Sequence, residues 1–299
     1  MSKSISSKFT MVRVIMVVGF VLLAVSFVGW WLKVYNSPAN VFDRMIATSL
    51  ASPAVSKKIQ QDDESQNLDQ TTVLVTAPDQ IVQSDTVLVQ ALDSDTSIST
   101  ETIATPQVDY VRYTGIDTNQ KSANGEAFDF SSVLGVWGKT DVSDQQGNGA
   151  QVFNQTVLGV VPIANVRQPL RRALIEQIKR DGVYRIDASK VERKTVNGRP
   201  VYSYDVTVAP VAYVTMLKNF ARSIGITQLD QVNPKQYENS APLNFVFDID
   251  IWSGQLIKVA YEGSERTEEY SAYGGRNQIE VPTDAIDVSK LQTRLQQIQ

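Results

Sequence analysis

The chain has 299 residues and a formal net charge of −4, and it contains no cysteine and no histidine. These two absences exclude disulfides, thiolate metal sites and catalysis that needs a cysteine nucleophile or a histidine base. With 42% hydrophobic and 20% charged residues, the composition is typical of a chain that folds around a core. We therefore expect a protein that is not an enzyme and has no metal or cofactor.

Residues 14–32 form an uncharged, apolar run near the N-terminus. As a helix that rises about 1.5 Å per residue, this run nearly matches the roughly 30 Å hydrocarbon core of a bilayer. Lys3, Lys8 and Arg13 precede it with no acidic residue, and the more basic flank of a membrane span stays in the cytoplasm. The sequence predicts a cytoplasmic tail over residues 1–13, a transmembrane helix over residues 14–32 and an extracytoplasmic domain over residues 38–299.

Other N-terminal signals fit this segment less well. A cleaved signal peptide has an apolar stretch of about 7–15 residues followed by small residues. This run is longer and ends in Trp30 and Trp31, which are typical of the headgroup level of a membrane span. A pilin-like leader needs glycine before Phe9 and glutamate where Arg13 stands, and a lipoprotein signal needs a cysteine. A single-pass signal anchor is the favoured interpretation, and whether the helix is ever cleaved stays open.

The charge of the chain is distributed unevenly. Residues 1–33 hold four of the 28 basic residues and none of the 32 acidic ones, so residues 34–299 carry a net charge of −8. Such a surface repels a phosphate backbone, and no basic patch with interleaved aromatic residues interrupts it. The expected partners are therefore the lipid bilayer and a possible lipid ligand, and no nucleic acid.

The first half of the predicted domain combines one helix with a strand meander. A helix begins at Pro38, with apolar residues three and four apart. Residues 56–70 are polar and predict a flexible loop or a solvated strand edge. Three short apolar segments separated by turn residues then indicate antiparallel strands: 73–75, 87–89 and 108–114. Residues 117–150 predict loops, with a short helix around residues 128–136.

The second half contains clearer local signals. Two helices are predicted over residues 166–180 and 210–225, each followed by a glycine stop, and a last helix over residues 288–298. Asn197 and Gly198 lie between two strand-like runs, which is the strongest short signature of a hairpin. Further strands are predicted at 243–252, 256–261 and 268–273.

An apolar ligand site is predicted where this sheet meets the second helix. Alternation places one set of aromatic side chains on a single face of the strands, and the helix at 210–225 has an apolar face wider than a surface helix needs. The candidate ligand-binding residues are Val211, Val214, Leu217 and Phe220 on the helix and Tyr202, Tyr204, Phe245 and Phe247 on the strands.

Acidic residues near the same strands form a second candidate site. Asp248 and Asp250 lie two apart on one strand face, and Glu265, Glu268 and Glu269 follow closely. A carboxylate pair can hydrolyse glycosides. The same pattern is also typical of the polar outer face of a sheet, which is the favoured interpretation.

The order of the predicted elements resembles the half-barrel lipoprotein carriers of the LolA/LolB and LppX/LprG group. Residues 247–259 (FDIDIWSGQLIKV) are similar to a strand–turn–strand of those proteins, with a tryptophan before a glycine turn. Residues 41–50 (VFDRMIATSL) are similar to their opening helix. The resemblance implies an apolar cavity between a curved antiparallel sheet and helices. It departs from the group in lacking the lipobox cysteine.

The sequence as a whole predicts an α+β fold: an N-terminal transmembrane helix followed by a curved antiparallel half-barrel packed on helices. The predicted function is a membrane-anchored extracytoplasmic domain of a bacterial cell envelope that binds a lipid or other apolar ligand in a cavity between sheet and helices. The alternative is a non-enzymatic protein-interaction or envelope-structural module with a filled core. Packing density separates the two, because a filled interior has few voids larger than a water molecule, whereas a ligand site is a cleft of about 300–1,000 Å³.

Overall fold

A computed structural model describes residues 22–63, 66–76, 83–91, 95–105, 107–141, 159–226, 228–275 and 279–298. Its helices are α1 (residues 22–35), α2 (Pro38–Ser49), α3 (Gln168–Arg180), α4 (Pro210–Ser223) and α5 (Val288–Ile298). Its strands are β1 (Ala54–Asp63), β2 (Gln66–Val75), β3 (Gln83–Ala91), β4 (Thr96–Ala104), β5 (Val108–Thr118), β6 (Gly138–Asp141), β7 (Tyr184–Ile186), β8 (Glu192–Val196), β9 (Arg199–Val208), β10 (Leu243–Asp250), β11 (Leu256–Tyr261), β12 (Thr267–Ser271) and β13 (Ile286–Asp287).

The described strands form a single sheet in the order β13-β6-β5-β4-β3-β2-β1-β12-β11-β10-β9-β7, with β8 beside β9. Among the described pairs of strands, only the short pairing of β13 with β6 is parallel, and one isolated bridge, Tyr113 with Leu134, is parallel as well. Two local meanders, β1–β5 and β9–β12, are joined where β1 pairs with β12. The α+β class with a large curved antiparallel sheet is confirmed.

Helices α2, α3 and α4 pack on one face of this sheet, here called the inner face. The core joins α2, α3 and α4 to inward-facing residues of β9, β10, β11, β12 and β1. In α2, the stripe predicted from the sequence is buried: Val41, Phe42, Met45, Ile46 and Leu50. The Tyr204 hydroxyl donates to the Pro38 carbonyl oxygen at 2.8 Å, which fixes the start of α2 on the sheet. Each fully buried apolar side chain of this kind stabilises the fold by about 1.5–3 kcal/mol.

Most of the predicted elements are confirmed, although the strands predicted at 73–75 and 87–89 are parts of the longer strands β2 and β3. The hairpin at Asn197 and Gly198 joins β8 to β9, and both turn residues have positive φ angles (51° and 76°). This is the geometry that favours Asn-Gly in two-residue hairpins. The last predicted helix and the strand 256–261 have the predicted bounds.

Two predictions for the first half of the domain are wrong. Residues 56–70 lie mainly in the long paired strands β1 and β2 rather than in a loop or a solvated edge, and β1 lies in the interior of the sheet between β2 and β12. Residues 128–136 form turns and not a helix. In both places the secondary structure depends on pairing with segments that are distant in the sequence, and local sequence patterns do not predict such pairing.

The predicted transmembrane segment is described only in part, because residues 14–21 lie outside the described residues. Residues 22–35 are helical and every one of them is exposed. Within the described ranges, no helix is long and apolar enough to cross a membrane. The predicted span therefore stays a prediction.

Arg44 of α2 ties the end of α1 to the turn between β10 and β11. Its guanidinium donates to the carbonyl oxygens of Tyr35 at 3.1 Å and Ile251 at 2.5 Å, and it lies 4.0 Å from the centre of the Tyr35 ring. Gly254, in the same turn, has φ +66° and lies against the Arg44 side chain. We call this contact the Arg44 clamp.

The clamp generates a stability prediction that uses two glycines. Gly198 and Gly254 both have positive φ, but a Cβ on Gly198 meets open space, whereas one on Gly254 lies 2.8 Å from Arg44 atoms. Gly198→Ala is expected to lower the free energy of unfolding by about 1 kcal/mol, which is the backbone cost alone. Gly254→Ala is expected to lower it by about 2–4 kcal/mol, because overpacking adds to that cost. Urea unfolding of both variants measures the difference, and equal losses would contradict the clamp.

Candidate functional site

The fold places four of the predicted ligand residues on β9 and β10 and the other four on α4. Four of them are buried in the core, with exposed fractions of 0% for Tyr204, Phe220 and Phe247 and 6% for Phe245. The other four are half-buried: Tyr202, Val211, Val214 and Leu217. Six of the eight belong to the core cluster or pack against it, whereas Val211 and Val214 do not, and the ligand-binding role of all eight stays a prediction.

Aromatic side chains fill the space between these strands and the helices. The ring of Phe42, from α2, lies 5.4 Å from that of Tyr204 and 6.4 Å from that of Phe247. The Tyr184 ring lies 6.2 Å from that of Phe42 and 6.3 Å from that of Phe247, and Phe245 meets Tyr261 at 5.0 Å. Ring separations of about 4.5–7 Å are those of packed aromatic pairs. This part of the inner face is therefore a packed core.

A small cavity lies beside this core, between β1, β2, β12 and the segment 159–163. It is lined by Val55, Lys57, Thr72, Leu74, Gly159, Val161, Ile163 and Tyr270, and its volume open to water centres is about 10 Å³. That is about the minimum for one water molecule and far below the 300–1,000 Å³ of a typical ligand site. This cavity does not have room for an acyl chain.

A buried carboxylate lies at the edge of the same cavity. Glu268 of β12 is 1% exposed and points to the inner face. Its oxygens accept hydrogen bonds from the Tyr261 hydroxyl at 2.6 Å, the Tyr270 hydroxyl at 2.5 Å and the Arg266 guanidinium at 3.1 Å. The sequence pattern predicts Glu268 on the polar outer face of the sheet, and that prediction is wrong. Alternation along β12 could have indicated the inner face, because Glu268 and Tyr270 are two residues apart.

Lys57 of β1 supplies a second buried charge near this carboxylate. It is 5% exposed and pairs in register with Tyr270 across the β1–β12 junction. Burial lowers the pKa of Lys57, and the charge of Glu268 partly opposes that change. We call Lys57, Tyr261, Arg266, Glu268 and Tyr270 the seam cluster.

The protonation states of the seam cluster follow from its geometry. Burial alone would raise the pKa of Glu268, but Lys57 and the three hydrogen-bond donors outweigh it and hold the pKa below its ordinary value. Burial raises the pKa of Tyr261 and Tyr270, and the Glu268 charge adds to the effect. At neutral pH the carboxylate is thus ionised and its tyrosines are protonated, which is the arrangement of a stabilised ion and not of a proton-transfer pair near its working pH.

The other candidate carboxylates have structural partners. Asp248 is 4% exposed and forms an ion pair with Lys194 at 2.8 Å. Asp250 accepts hydrogen bonds from the backbone N–H groups of Trp252 and Ser253, both at 2.8 Å, and so closes the β10–β11 turn. Within the described residues, no group of three or more acidic side chains is placed to hold a metal ion.

The inner face changes character from β1 to β5. Cross-strand register puts Lys57, Thr72, Thr86 and Thr102 in one row, and these four side chains are buried. Further along the strands, toward the ends opposite the β10–β11 turn, the side chains on the same face are half-buried: Leu68, Gln70, Leu88, Gln90, Ile98, Thr100, Tyr113 and Ile116. We call these eight residues the open rows. Their apolar members are not part of the described core cluster.

No protein-family model matches the chain, and no curated protein matches its sequence. Among solved structures, the crystal structure of LprF from Mycobacterium bovis is similar to it, with 11% sequence identity and a TM-score of 0.46. The match covers 83% of this chain and 97% of LprF. A likeness at this level identifies neither a family nor a function. The resemblance to the LolA/LolB and LppX/LprG group therefore stays a prediction.

The seam cluster generates a second stability prediction. Glu268→Gln removes the charge and leaves the buried Lys57 and the half-buried Arg266 without their counter-ion, so we expect a loss of about 3 kcal/mol in the free energy of unfolding at neutral pH. Glu269→Gln is the matched control, because Glu269 points to the other face, is 44% exposed and lies 3.9 Å from Lys258. Its loss should stay below about 0.5 kcal/mol. Similar losses for the two variants would show that the buried charge contributes nothing.

The same variant generates a prediction for pH dependence. The pKa of Glu268 in the folded chain lies below its ordinary value of 4.5. Its ionised form therefore stabilises the fold fully above that value, and the stabilisation is lost as the pH falls through the lower folded-state pKa. The gap in unfolding free energy between the natural chain and Glu268→Gln should be constant from pH 7 to about pH 5 and shrink on further acidification. Urea unfolding across this range measures it, and a gap that widens in acid would contradict the assignment.

Proposed function

We propose that this chain is a membrane-anchored, non-enzymatic binding domain on the extracytoplasmic side of a bacterial cell envelope. Its ligand is a lipid or another apolar molecule, held along the open rows of β2–β5. The observation that carries the proposal is the contrast within one sheet face, which is packed solid under the helices and only half-covered along the open rows.

The exposed helix α1 supports the membrane anchor. Leu23 is 72% exposed and Phe27 61%, and the adjoining Trp30 and Trp31 are each more than half exposed. A continuous apolar surface of this kind marks a membrane or partner contact in a soluble chain. Together with the uncharged residues that precede it, α1 has the composition of a span, and the basic tail places the domain outside the cytoplasm.

The open rows support an apolar ligand with some polar groups. Leu68, Leu88, Ile98 and Ile116 share these rows with the amide and hydroxyl side chains of Gln70, Gln90, Thr100 and Tyr113. Ligand sites commonly combine an apolar lining with a few placed polar groups that fix orientation. Our proposal thus places the ligand further along the sheet than the eight residues predicted from the sequence, whose strand members lie in the packed core.

The packed core also favours a second candidate function. A domain whose interior is filled can act as a protein-interaction or envelope-structural module and needs no ligand. The tight ring contacts of Phe42, Tyr204 and Phe247 are the specific observation behind this candidate. The two functions differ in whether an apolar molecule contacts the inner face.

Photo-crosslinking of the full chain in bilayers tests the proposal. A diazirine-labelled fatty acid is added, and cross-linked peptides are mapped by mass spectrometry. We expect cross-links at the open rows in addition to those on α1 that any membrane helix acquires. Leu88→Glu should reduce the cross-links on β2–β5 by about tenfold, because an uncompensated charge in an apolar contact costs more than about 1.4 kcal/mol.

Val89→Glu is the matched control for this experiment. Val89 is the next residue of β3, points to the opposite face and is 44% exposed. It should leave the cross-links on the open rows unchanged. Cross-links at Val211, Val214 and Leu217 instead would restore the site predicted from the sequence, and cross-links confined to α1 would favour the interaction module.

A further inference from the structure

We propose that the β10–β11 turn, which carries Trp252, and the tip of the β8–β9 hairpin form a second membrane contact beside α1. The occupant is the outer surface of the bilayer in which α1 is inserted. The inference rests on the proposed anchor and goes beyond it, because it sets which end of the domain faces the lipid.

The Arg44 clamp places the turn next to the point where α1 leaves the membrane. One guanidinium group contacts the last residue of α1, Tyr35, and the carbonyl oxygen of Ile251 in the turn. Trp252 directly follows Ile251, so the turn that carries it is held beside the end of α1. A bilayer that contains Trp30 and Trp31 at its headgroup level is therefore within reach of Trp252.

Trp252 has the properties of an interfacial residue. It is 54% exposed at the tip of a turn whose backbone is fixed by the Asp250 carboxylate. An indole ring offers an apolar body and one N–H donor, and such rings are enriched at membrane–water interfaces. A rigid turn that presents this ring gains contact with lipid without ordering any further chain.

The hairpin beside the turn supplies positive charge at the same end. The Ile251 N–H donates to the Pro200 carbonyl oxygen at 3.1 Å, so the start of β9 lies against the turn, and the 197–198 tip extends beyond it. Arg193 and Arg199 are exposed in this hairpin, and no ion pair between described residues involves either one. Residues 34–299 carry a net charge of −8, and against that background these two exposed arginines, which project from opposite faces of the hairpin, offer positive charge to anionic headgroups.

Headgroup quenching of single labels tests the proposal on the full chain. Because the chain has no cysteine, Ser253→Cys provides a unique site for a fluorescent label in the turn. The matched control is Ser264→Cys, in the turn at the other end of β11, about 20 Å away at roughly 3.3 Å per residue. Gly29→Cys on α1 reports the anchor itself. The labelled chains are reconstituted in vesicles of phosphatidylcholine and phosphatidylglycerol that contain a headgroup-nitroxide lipid.

We expect quenching at residue 253 to exceed that at residue 264 by about threefold or more, given a contact zone of about 5–10 Å at the lipid boundary. Trp252→Ser, or Arg193→Gln combined with Arg199→Gln, should reduce quenching at residue 253 and leave residue 29 unchanged. Replacing phosphatidylglycerol by phosphatidylcholine should weaken the contact in the natural chain but not in the double arginine variant.

Each contrary result has a separate meaning. Equal quenching at residues 253 and 264, with residue 29 quenched, would keep the anchor and overturn the second contact. An unquenched residue 29 would overturn the anchor and the contact together. A label at residue 253 that is shielded from water without being quenched would show a protein partner at this turn and overturn the lipid assignment.

Discussion

The structure depends on the pairing of β1 with β12, because this single junction unites two meanders that otherwise contact mainly their own neighbours along the chain. Its two strands are about 200 residues apart, so forming the junction costs considerable loop-closure entropy. The seam cluster lies on the inner face of this junction, where Glu268 is held by two tyrosine hydroxyls and one guanidinium. Apolar side chains would stabilise such a junction at least as well. An ionised carboxylate adds a requirement for register, since a one-residue slip of β12 would move Glu268 to the other face and away from its donors.

The two halves of the sheet differ in how their inner faces are covered. On β9–β12, three helices contribute side chains to the core, and Phe42 fills the space between Tyr204 and Phe247. On β2–β5, the inward side chains toward the β10–β11 turn are buried, and the open rows at the opposite ends of the strands are only half-buried. A sheet of this length therefore has a rigid part, where packing fixes its curvature, and a part whose surface is left for contact with other molecules.

Sequence reasoning succeeded where the signal is local. The helices α2 and α5, the Asn-Gly hairpin and strands β10 and β11 each carry a period or a turn signature of their own. It failed where the burial of a residue depends on a partner far away in the sequence. Residues 56–70 looked solvated because Lys57 and its neighbours are polar, yet Glu268, far along the chain, gives Lys57 a buried counter-charge. Strand β4, rich in serine and threonine, was missed for a similar reason, since Thr86 and Thr102 are buried by pairing rather than by hydrophobicity. Alternation likewise predicted which side chains face inward but not that Phe42 would fill the space they face.

The connection between α1 and α2 consists of Asn36 and Ser37 alone, and the Arg44 clamp holds both sides of it. With so short and fixed a connection, the domain can move very little relative to α1. If α1 is held in a bilayer, the diffusion of the domain is confined to the two dimensions of the membrane. It then meets other molecules chiefly by lateral diffusion. Its encounters are then governed by surface density, so partners resident in the same membrane have an advantage over soluble ones at equal abundance. A longer connection between α1 and α2 would let the domain contact molecules farther from the membrane and would weaken its preference for partners in the same membrane.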